Sequence, residues 1–126
     1  MTVAYVDTSC LVAIAFGERG SAALGRRLEG FDRLVASNLL EAELRGAFER
    51  ERVPFEPDLL SWIGWVLPDR PLSVEMARAL AAGYLRGADL WHLSCALYLA
   101  EDPSELLFLT LDDRQRAVAE ALGFRM

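Results

Sequence analysis

The sequence predicts an α/β fold in which parallel strands form a central sheet and helices cover both of its faces. Short apolar runs alternate along the chain with longer segments of helical character, a pattern typical of parallel sheets. Acids follow two of the apolar runs, Asp7 after residues 3–6 and Asp112 shortly after residues 106–110. The 126 residues suffice for one core, and no linker or repeat interrupts them. We therefore expect a single domain over residues 1–126.

The first half of the chain is predicted to contain two strands and three helices. Val3–Val6 and Arg33–Ala36 are short, mainly apolar runs of strand length. Gly17 and Gly30 end the first two helices, and Ser37 has the side chain of a helix N-cap. The predicted helices run over Ser9–Phe16, from Gly20 or Ser21 to about Glu29, and from Ser37 to about Arg52.

Prolines and glycines divide the second half into its elements. Pro57 suits the first position of a helix, which is predicted to run to about Val66. Pro68 and Pro71 break the chain before Leu72, which is assigned to a short extended piece. Three more helices are predicted, from Ser73 to about Arg86, from Asp89 to about Ala100, and from Asp112 or Asp113 to Gly123. The remaining strands are Leu106–Thr110, the clearest in the chain, and a candidate edge strand at Phe124-Arg125.

Composition favours a globular protein of the cytoplasm. The chain is 53% hydrophobic and 25% charged, and no apolar run approaches the roughly 18–20 residues that span a bilayer. The first residues lack the basic region of a signal peptide. Cys10 and Cys95 lie in apolar, helix-like stretches and form no metal-type or redox-type pair, so we expect small buried thiols.

The charged residues exclude some functions and weigh against others. All 13 basic residues are arginine, which excludes a P-loop and argues against a response-regulator receiver domain, because both depend on a lysine. The net charge of −6 is unfavourable for approaching a polyanion. A nucleic-acid enzyme with this composition would need clustered arginines, or metal ions that offset its acids.

Four acids that are far apart in sequence are expected to share one site: Asp7, Glu43, Asp89 and Asp112. Each is predicted where an element begins or turns inward, and ligands of open α/β sheets sit outside the carboxyl ends of the strands. Crowded carboxylates repel one another unless a cation or a proton intervenes. An all-oxygen set suits Mg²⁺ or Mn²⁺ better than Zn²⁺. An ion held in this way can generate the hydroxide nucleophile itself, so no histidine is required.

Each of these acids also has an ordinary structural explanation. Glu43 is preferred over Glu41 because its helical neighbours at spacings of three and four are apolar: Leu39, Leu40, Gly46 and Ala47. Asp89 suits the first turn of a helix, where the helix dipole favours an acid. Asp7 and Asp112 could simply cap the helices that follow them. Their joint placement is what favours a shared site.

His92, the only histidine, is predicted to share an inward stripe with Cys95 and Ala96. A lone histidine on such a face is more often a packed or supporting group than a general base.

Four segments, in this order and spacing, resemble those of PIN-domain ribonucleases: Val6-Asp7-Thr8-Ser9, Glu43-Leu44-Arg45, Ala88-Asp89-Leu90-Trp91-His92-Leu93 and Leu109-Thr110-Leu111-Asp112. The length and the order of elements are similar to those of the VapC-like toxins of prokaryotic toxin–antitoxin pairs. The resemblance covers essentially the whole chain. It implies a PIN-like α/β/α sandwich around a parallel sheet of about five strands, and Mg²⁺- or Mn²⁺-dependent endonucleolytic cleavage of RNA.

The resemblance also implies roles for individual residues. Asp7, Glu43, Asp89 and Asp112 match the four catalytic and metal-binding acids of the family. Thr8 and Ser9 match a hydroxyl pair beside the first acid, and Thr110 matches a hydroxyl near the fourth. Because Asp113 follows Asp112 directly, either of them could be that fourth acid. Three arginines are candidates for gripping the RNA backbone, although a solvated helix face explains each of them equally well: Arg45, Arg114 and Arg116.

The apolar stretch Leu59–Val66, with Trp62 and Trp65, has more hydrophobic surface than one buried helix face needs. Tryptophan is enriched at interface hot spots, so we expect a homodimer or antitoxin contact here, the alternative being a helix buried on two sides. The resemblance implies a VapB-like antitoxin that lays a helix and tail across the acids.

Two other functions are weighed against a ribonuclease toxin. A phosphatase of the haloacid-dehalogenase type needs an aspartate two residues after the first acid, where this chain has Ser9, and a lysine that it lacks. A PIN fold used only to bind RNA or to act as a scaffold is the non-enzymatic alternative. The sequence leaves open which RNA is cut and whether one or two ions bind.

Overall fold

The structure is a computed structural model that describes residues 2–126. Within them, four strands form one parallel sheet in the order β3-β2-β1-β4, with six α-helices packed around it. The strands are β1 Val3–Val6, β2 Arg33–Ser37, β3 Ile63–Val66 and β4 Leu107–Leu109. The helices are α1 Thr8–Ala15, α2 Ser21–Glu29, α3 Leu39–Glu51, α4 Ser73–Ala82, α5 Gly87–Leu99 and α6 Asp113–Leu122. Pro57–Leu60 and Pro103–Glu105 form short 3₁₀ helices. None of the helices in residues 2–126 has the length and apolar character needed to cross a membrane.

Strand β1 lies at the centre of the sheet, between β2 and β4. Ala4, Tyr5 and Val6 are completely buried, as expected for a strand that is covered on both faces. Helix α1 packs against α2 and α3, whereas α4 packs against α5 and α6, so the helices form two groups. Because all four strands are parallel, their carboxyl ends lie at one edge of the sheet.

The helix predicted from Pro57 to Val66 is wrong. Only Pro57–Leu60 is helical, as one 3₁₀ turn, and Ile63–Val66 forms strand β3 alongside β2. The β-branched and aromatic residues of this segment favour a strand, and Gly64 weakens a helix. A Cβ at position 64 would lie 3.0 Å from the guanidinium of Arg33, so the glycine also suits close packing against β2. The edge of β2 therefore decided the conformation of a sequence that fits either element.

Three further predictions are corrected around α4. This helix ends at Ala82 instead of continuing to Arg86, and α5 begins at Gly87, two residues before Asp89. A Cβ at Gly83 would lie 2.8 Å from Cγ2 of Val118, so the glycine permits close approach of α6. Leu72 is not extended but is a fully buried residue that precedes α4.

A fifth strand is not seen among residues 2–126. The segment predicted as an edge strand forms a single parallel bridge, between Leu107 and Arg125. Two hydrogen bonds support it, from Phe108 N to Arg125 O at 2.8 Å and from Arg125 N to Leu106 O at 3.1 Å. Phe124 is buried beside Phe108, so the segment covers that edge of the sheet without extending it.

Candidate active site

Asp7 connects the central strand to the first helix. It is the N-cap of α1, where its Oδ2 accepts a hydrogen bond from Ser9 N at 3.1 Å, and only 5% of its surface is exposed. Its own N–H donates to Leu109 O at 2.9 Å, which fixes it beside the end of β4. The capping role proposed for Asp7 is therefore confirmed, and the same residue lies at the carboxyl edge of the sheet.

Asp112 reaches the same edge from β4. It is the N-cap of α6, and its Oδ1 accepts a hydrogen bond from Gln115 N at 2.7 Å, which leaves its other carboxylate oxygen available. The Asp112 N–H donates to Thr110 Oγ1 at 3.1 Å. Asp113 lies in the first turn of α6 and is exposed. The residue that shares a cleft with Asp89 is thus Asp112 and not Asp113.

Gln115 is a buried residue of this site that the sequence analysis did not identify. Its Oε1 accepts a 2.6 Å hydrogen bond from Thr110 Oγ1, and its Nε2 lies 3.3 Å from both Asp7 Oδ1 and the backbone oxygen of Asp89. One side chain therefore joins the ends of β1 and β4 to the start of α5. A signal was present, because an acid followed three residues later by glutamine resembles a helix capping box.

Glu43 is held by a buried chain of hydrogen bonds. Ser37 N donates to the Tyr5 hydroxyl at 2.9 Å, and that hydroxyl lies 2.7 Å from His92 Nδ1. His92 Nε2 lies 2.6 Å from Glu43 Oε1, which also accepts a 2.8 Å hydrogen bond from Thr8 Oγ1. Every partner is used when Tyr5 donates to Nδ1 and a neutral His92 donates from Nε2. His92 is fully buried, as expected for a supporting group.

These contacts hold Glu43 in its ionised form. Burial alone would raise its pKa, but the hydrogen bonds from His92 and Thr8 outweigh burial and keep the pKa of Glu43 below its usual value. Because both donors bind Oε1, the second carboxylate oxygen is left for another partner.

Asp89, in the first turn of α5, has the opposite character. The side-chain hydrogen bond found at Asp89 within residues 2–126 goes to its backbone oxygen, not to its carboxylate. Burial raises the pKa of Asp89, and so do the negative charges of Asp7, Asp112 and Glu43. Asp7, Asp112 and Glu43 are thus near enough for their negative charges to oppose the ionisation of Asp89.

The donor set fits a hard divalent cation. As the side chains stand, no group of three or more Asp, Glu, His or Cys residues within residues 2–126 is close enough to hold one ion. Mg²⁺ retains several of its waters and commonly uses only one or two carboxylates, so a looser group suits a hydrated ion. Asp7, Glu43, Asp89 and Asp112 would offer carboxylate oxygens to such an ion, directly or through its waters, and a cation would relieve the repulsion at Asp89.

The arginines differ in their relation to these acids. Arg114 and Arg86, the second of which was not predicted, line a cleft of about 300 Å³ together with Asp89 and Asp112. Arg116 donates to Thr110 O at 2.8 Å. Arg45 is directed elsewhere, because it pairs with Glu41 at 2.7 Å and stacks on a nearby phenylalanine ring.

The remaining predicted hydroxyls also lie at the edge of the sheet. Ser9 Oγ accepts from Leu111 N at 3.1 Å and lies 3.5 Å from Thr110 Oγ1, which is itself 3.4 Å from Asp7 Oδ2. With Thr8 bonded to Glu43, the hydroxyls form a belt that fixes the acids relative to one another.

Comparison with known families finds the PIN domain over residues 4–121, which is nearly the whole of the described chain. Neither the curated proteins nor the solved structures that were searched include a significant match. The parallel α/β sheet and the extent of the family match agree, and we conclude that the chain belongs to the PIN domain family, whose members are generally nucleases that hydrolyse nucleic acid.

Proposed function

We propose that this protein is a metal-dependent endoribonuclease, which uses Mg²⁺ or Mn²⁺ to hydrolyse RNA phosphodiester bonds. The observation that carries the proposal is the cleft that Asp89 shares with Asp112, because Asp89 forms no ion pair among residues 2–126 and the charges of Asp7, Asp112 and Glu43 oppose its ionisation. Repulsion of this kind is costly to maintain, and a site that binds a cation explains it.

The acids have distinct tasks in this proposal. Asp7 and Asp89 hold an ion, while Glu43 and Asp112 each offer one oxygen to it or to its waters. The chemistry supplied by such an ion when bound is activation of a water for in-line attack on phosphorus and stabilisation of the leaving oxygen. Gln115 and the chain from Tyr5 to His92 keep the carboxylates in place without touching the substrate.

Binding of RNA requires positive charge close to the acids, because the chain as a whole carries a net charge of −6. Arg86 and Arg114 supply it within the cleft of Asp89 and Asp112. Their guanidinium groups are suited to phosphate oxygens, which they can bind in a bidentate manner. We assign them to positioning the RNA backbone at the acids.

We further propose that the enzyme is the toxin of a toxin–antitoxin pair in the cytoplasm, neutralised by a VapB-like antitoxin and assembled as a homodimer. Support comes from the resemblance of the four acidic segments to VapC-like toxins and from exposed tryptophans. Trp62 is 52% exposed and Trp65 38% exposed, on and beside the edge strand β3. Large apolar side chains exposed together are typical of interaction surfaces.

The proposal is tested by incubating purified protein with total cellular RNA in Mg²⁺ or Mn²⁺. We expect discrete fragments that disappear with EDTA, with Asp7→Asn and with Asp89→Asn. Asp113→Asn is the matched control, because that acid is exposed and lies outside the cleft with Asp89. Cleavage that survives Asp89→Asn would exclude this site. RNA binding without cleavage by folded wild-type protein would instead identify a binding module.

A further inference from the structure

A second cavity, of about 270 Å³, lies beside the acid cluster between α1, α2 and α6. Thr110 connects the cavity to the acid cluster. Its hydroxyl is 3.4 Å from Asp7 Oδ2, whereas its carbonyl oxygen accepts the hydrogen bond from Arg116 Nη2, and both Thr110 and Arg116 line the cavity. The cavity therefore begins one residue away from the carboxylates.

The lining combines positive charge with an apolar surface. Arg27 and Arg116 are the basic residues of the cavity and Glu120 is its acid, so its charge is positive in a chain whose net charge is −6. The ion pairs found among residues 2–126 do not include Arg27, which leaves its guanidinium for a ligand. Leu111 lines the cavity and is 48% exposed, although it is a large apolar residue.

We propose that this cavity binds one nucleotide of the RNA strand, adjacent to the nucleotide whose phosphate lies at the acids. Arg27 and Arg116 bind its phosphate, and the base lies against the apolar wall that includes Leu24, Leu111 and Met126. The volume lies just below the roughly 300–1,000 Å³ typical of small-molecule sites, so it suits a single nucleotide and not a longer segment. This inference rests on the proposed function, since it assigns a subsite to the same substrate.

Binding can be measured without any cleavage. Protein labelled at its methionine methyl groups is titrated with adenosine or uridine 5′-monophosphate in EDTA and followed by NMR. We expect the Met126 methyl signal to shift, because Met126 lines the cavity, while the signal of Met76 on α4 stays unchanged. Inorganic phosphate is the second titrant. If it shifts Met126 at the same concentration as the nucleotides do, the cavity has no base site and the proposal fails.

Arg27 has a matched control in its neighbour. Arg26 and Arg27 both lie exposed in the last turn of α2, but only Arg27 lines the cavity. Arg27→Gln is expected to weaken nucleotide binding by about fivefold or more, since a charge-assisted contact to phosphate is lost. Arg26→Gln should bind as the wild type does. Equal effects of the two variants would show a general charge effect and overturn the assignment.

A single-stranded oligonucleotide then tests whether the site belongs to an RNA strand. In the EDTA-treated Arg27→Gln protein one phosphate contact is lost, so the slope of log K against log salt concentration should become less negative by about 0.7. An unchanged slope in Arg27→Gln would mean that the cavity lies off the path of the strand. None of these measurements needs a metal ion or cleavage of RNA. Absence of ribonuclease activity would therefore refute the proposed function, whereas the NMR shift of the Met126 methyl group would still decide whether the nucleotide site exists.

Discussion

At the scale of single residues, each acid of the site has an environment of its own. Glu43 receives two hydrogen bonds on one oxygen, Asp112 caps a helix through one oxygen, and Asp89 faces the charges of its neighbours. Burial therefore opposes the ionisation of Asp89, whereas the hydrogen bonds that run from Tyr5 through His92 keep Glu43 ionised.

The Tyr5 hydroxyl should matter for catalysis although it does not reach the substrate. Tyr5→Phe leaves Ser37 N and His92 Nδ1 without their partner, which should cost about 1–3 kcal/mol of stability because both groups are buried. If the hydrogen bonds from Tyr5 through His92 position Glu43, kcat should fall by about tenfold with KM little changed. Tyr84→Phe is the control, because Tyr84 is largely exposed. Steady-state kinetics and urea denaturation measure both effects, and an unchanged kcat would show that the Tyr5 hydroxyl does not position Glu43.

Asp89 should make the metal-free protein less stable at neutral pH. Its pKa in the folded state is raised, so the proton binds more tightly to the folded chain than to the unfolded one. Its ionisation therefore costs stability above the folded pKa, and the cost disappears as the pH falls below the ordinary value of an aspartate. Asp89→Asn should raise the Tm of the metal-free protein at pH 7 but have no such effect near pH 3.

Differential scanning calorimetry in EDTA at both pH values checks this prediction, with Asp113→Asn as control. Added Mn²⁺ should make the Tm of the wild type higher than that of Asp89→Asn at pH 7, because a ligand at 100 times its Kd stabilises the folded state by about 2.7 kcal/mol. If Mn²⁺ raises the Tm of Asp89→Asn as much as it raises the Tm of the wild type, the ion binds elsewhere.

At the scale of secondary-structure elements, contacts between elements decided what local signals left open. The segment 57–66 has a proline at a helix start and tryptophans at helical spacing, yet Ile63–Val66 pairs with β2. Conversely, β1 and the helix starts at Asp7 and Asp112 follow from local signals, because caps and apolar runs act over a few residues.

The approach of α4 to α6 depends on a missing side chain at Gly83. A Cβ there would lie 2.8 Å from Cγ2 of Val118, so Gly83→Ala should destabilise the fold by about 1–3 kcal/mol. Gly83→Ala combined with Val118→Ala should destabilise by less than the sum of the single changes, because the two side chains share one space. Gly46→Ala in the exposed middle of α3 is expected to stabilise by up to about 1 kcal/mol, since nothing lies near its Cβ. Chemical denaturation of these four variants tests the contact; additive losses would argue against it.

At the scale of the whole molecule, the edge strand β3 and its tryptophans are the strongest candidates for an assembly surface. The opposite edge is partly covered by the bridge at Arg125, whereas Trp62 and Trp65 leave much of their surface exposed beside β3. An exposed strand edge with large apolar side chains tends to pair with another chain.

We expect the proposed homodimer to depend on Trp62. Trp62→Ser should shift the protein toward the monomer and also lower the stability of the monomer by about 1–2 kcal/mol, because the side chain is 52% exposed and the rest of it is buried. Light scattering after gel filtration gives the mass, and Val74→Ser is the control because Val74 is 76% exposed and lies on α4, away from β3. A wild-type protein that is monomeric at high concentration would refute the dimer, and the surface would then be left for the antitoxin.

The sequence by itself determined the fold class, the central strands and the family match, because these depend on local periodicity, capping and the order of motifs. It also predicted the four acids of the site, of which the structure places Asp112 in one cleft with Asp89. Only the tertiary structure decided that the segment 63–66 is a strand, that Asp112 faces Asp89, and that Gln115 and Tyr5 hold the site together. These outcomes depend on contacts between residues far apart in the chain, which no local pattern of side chains contains.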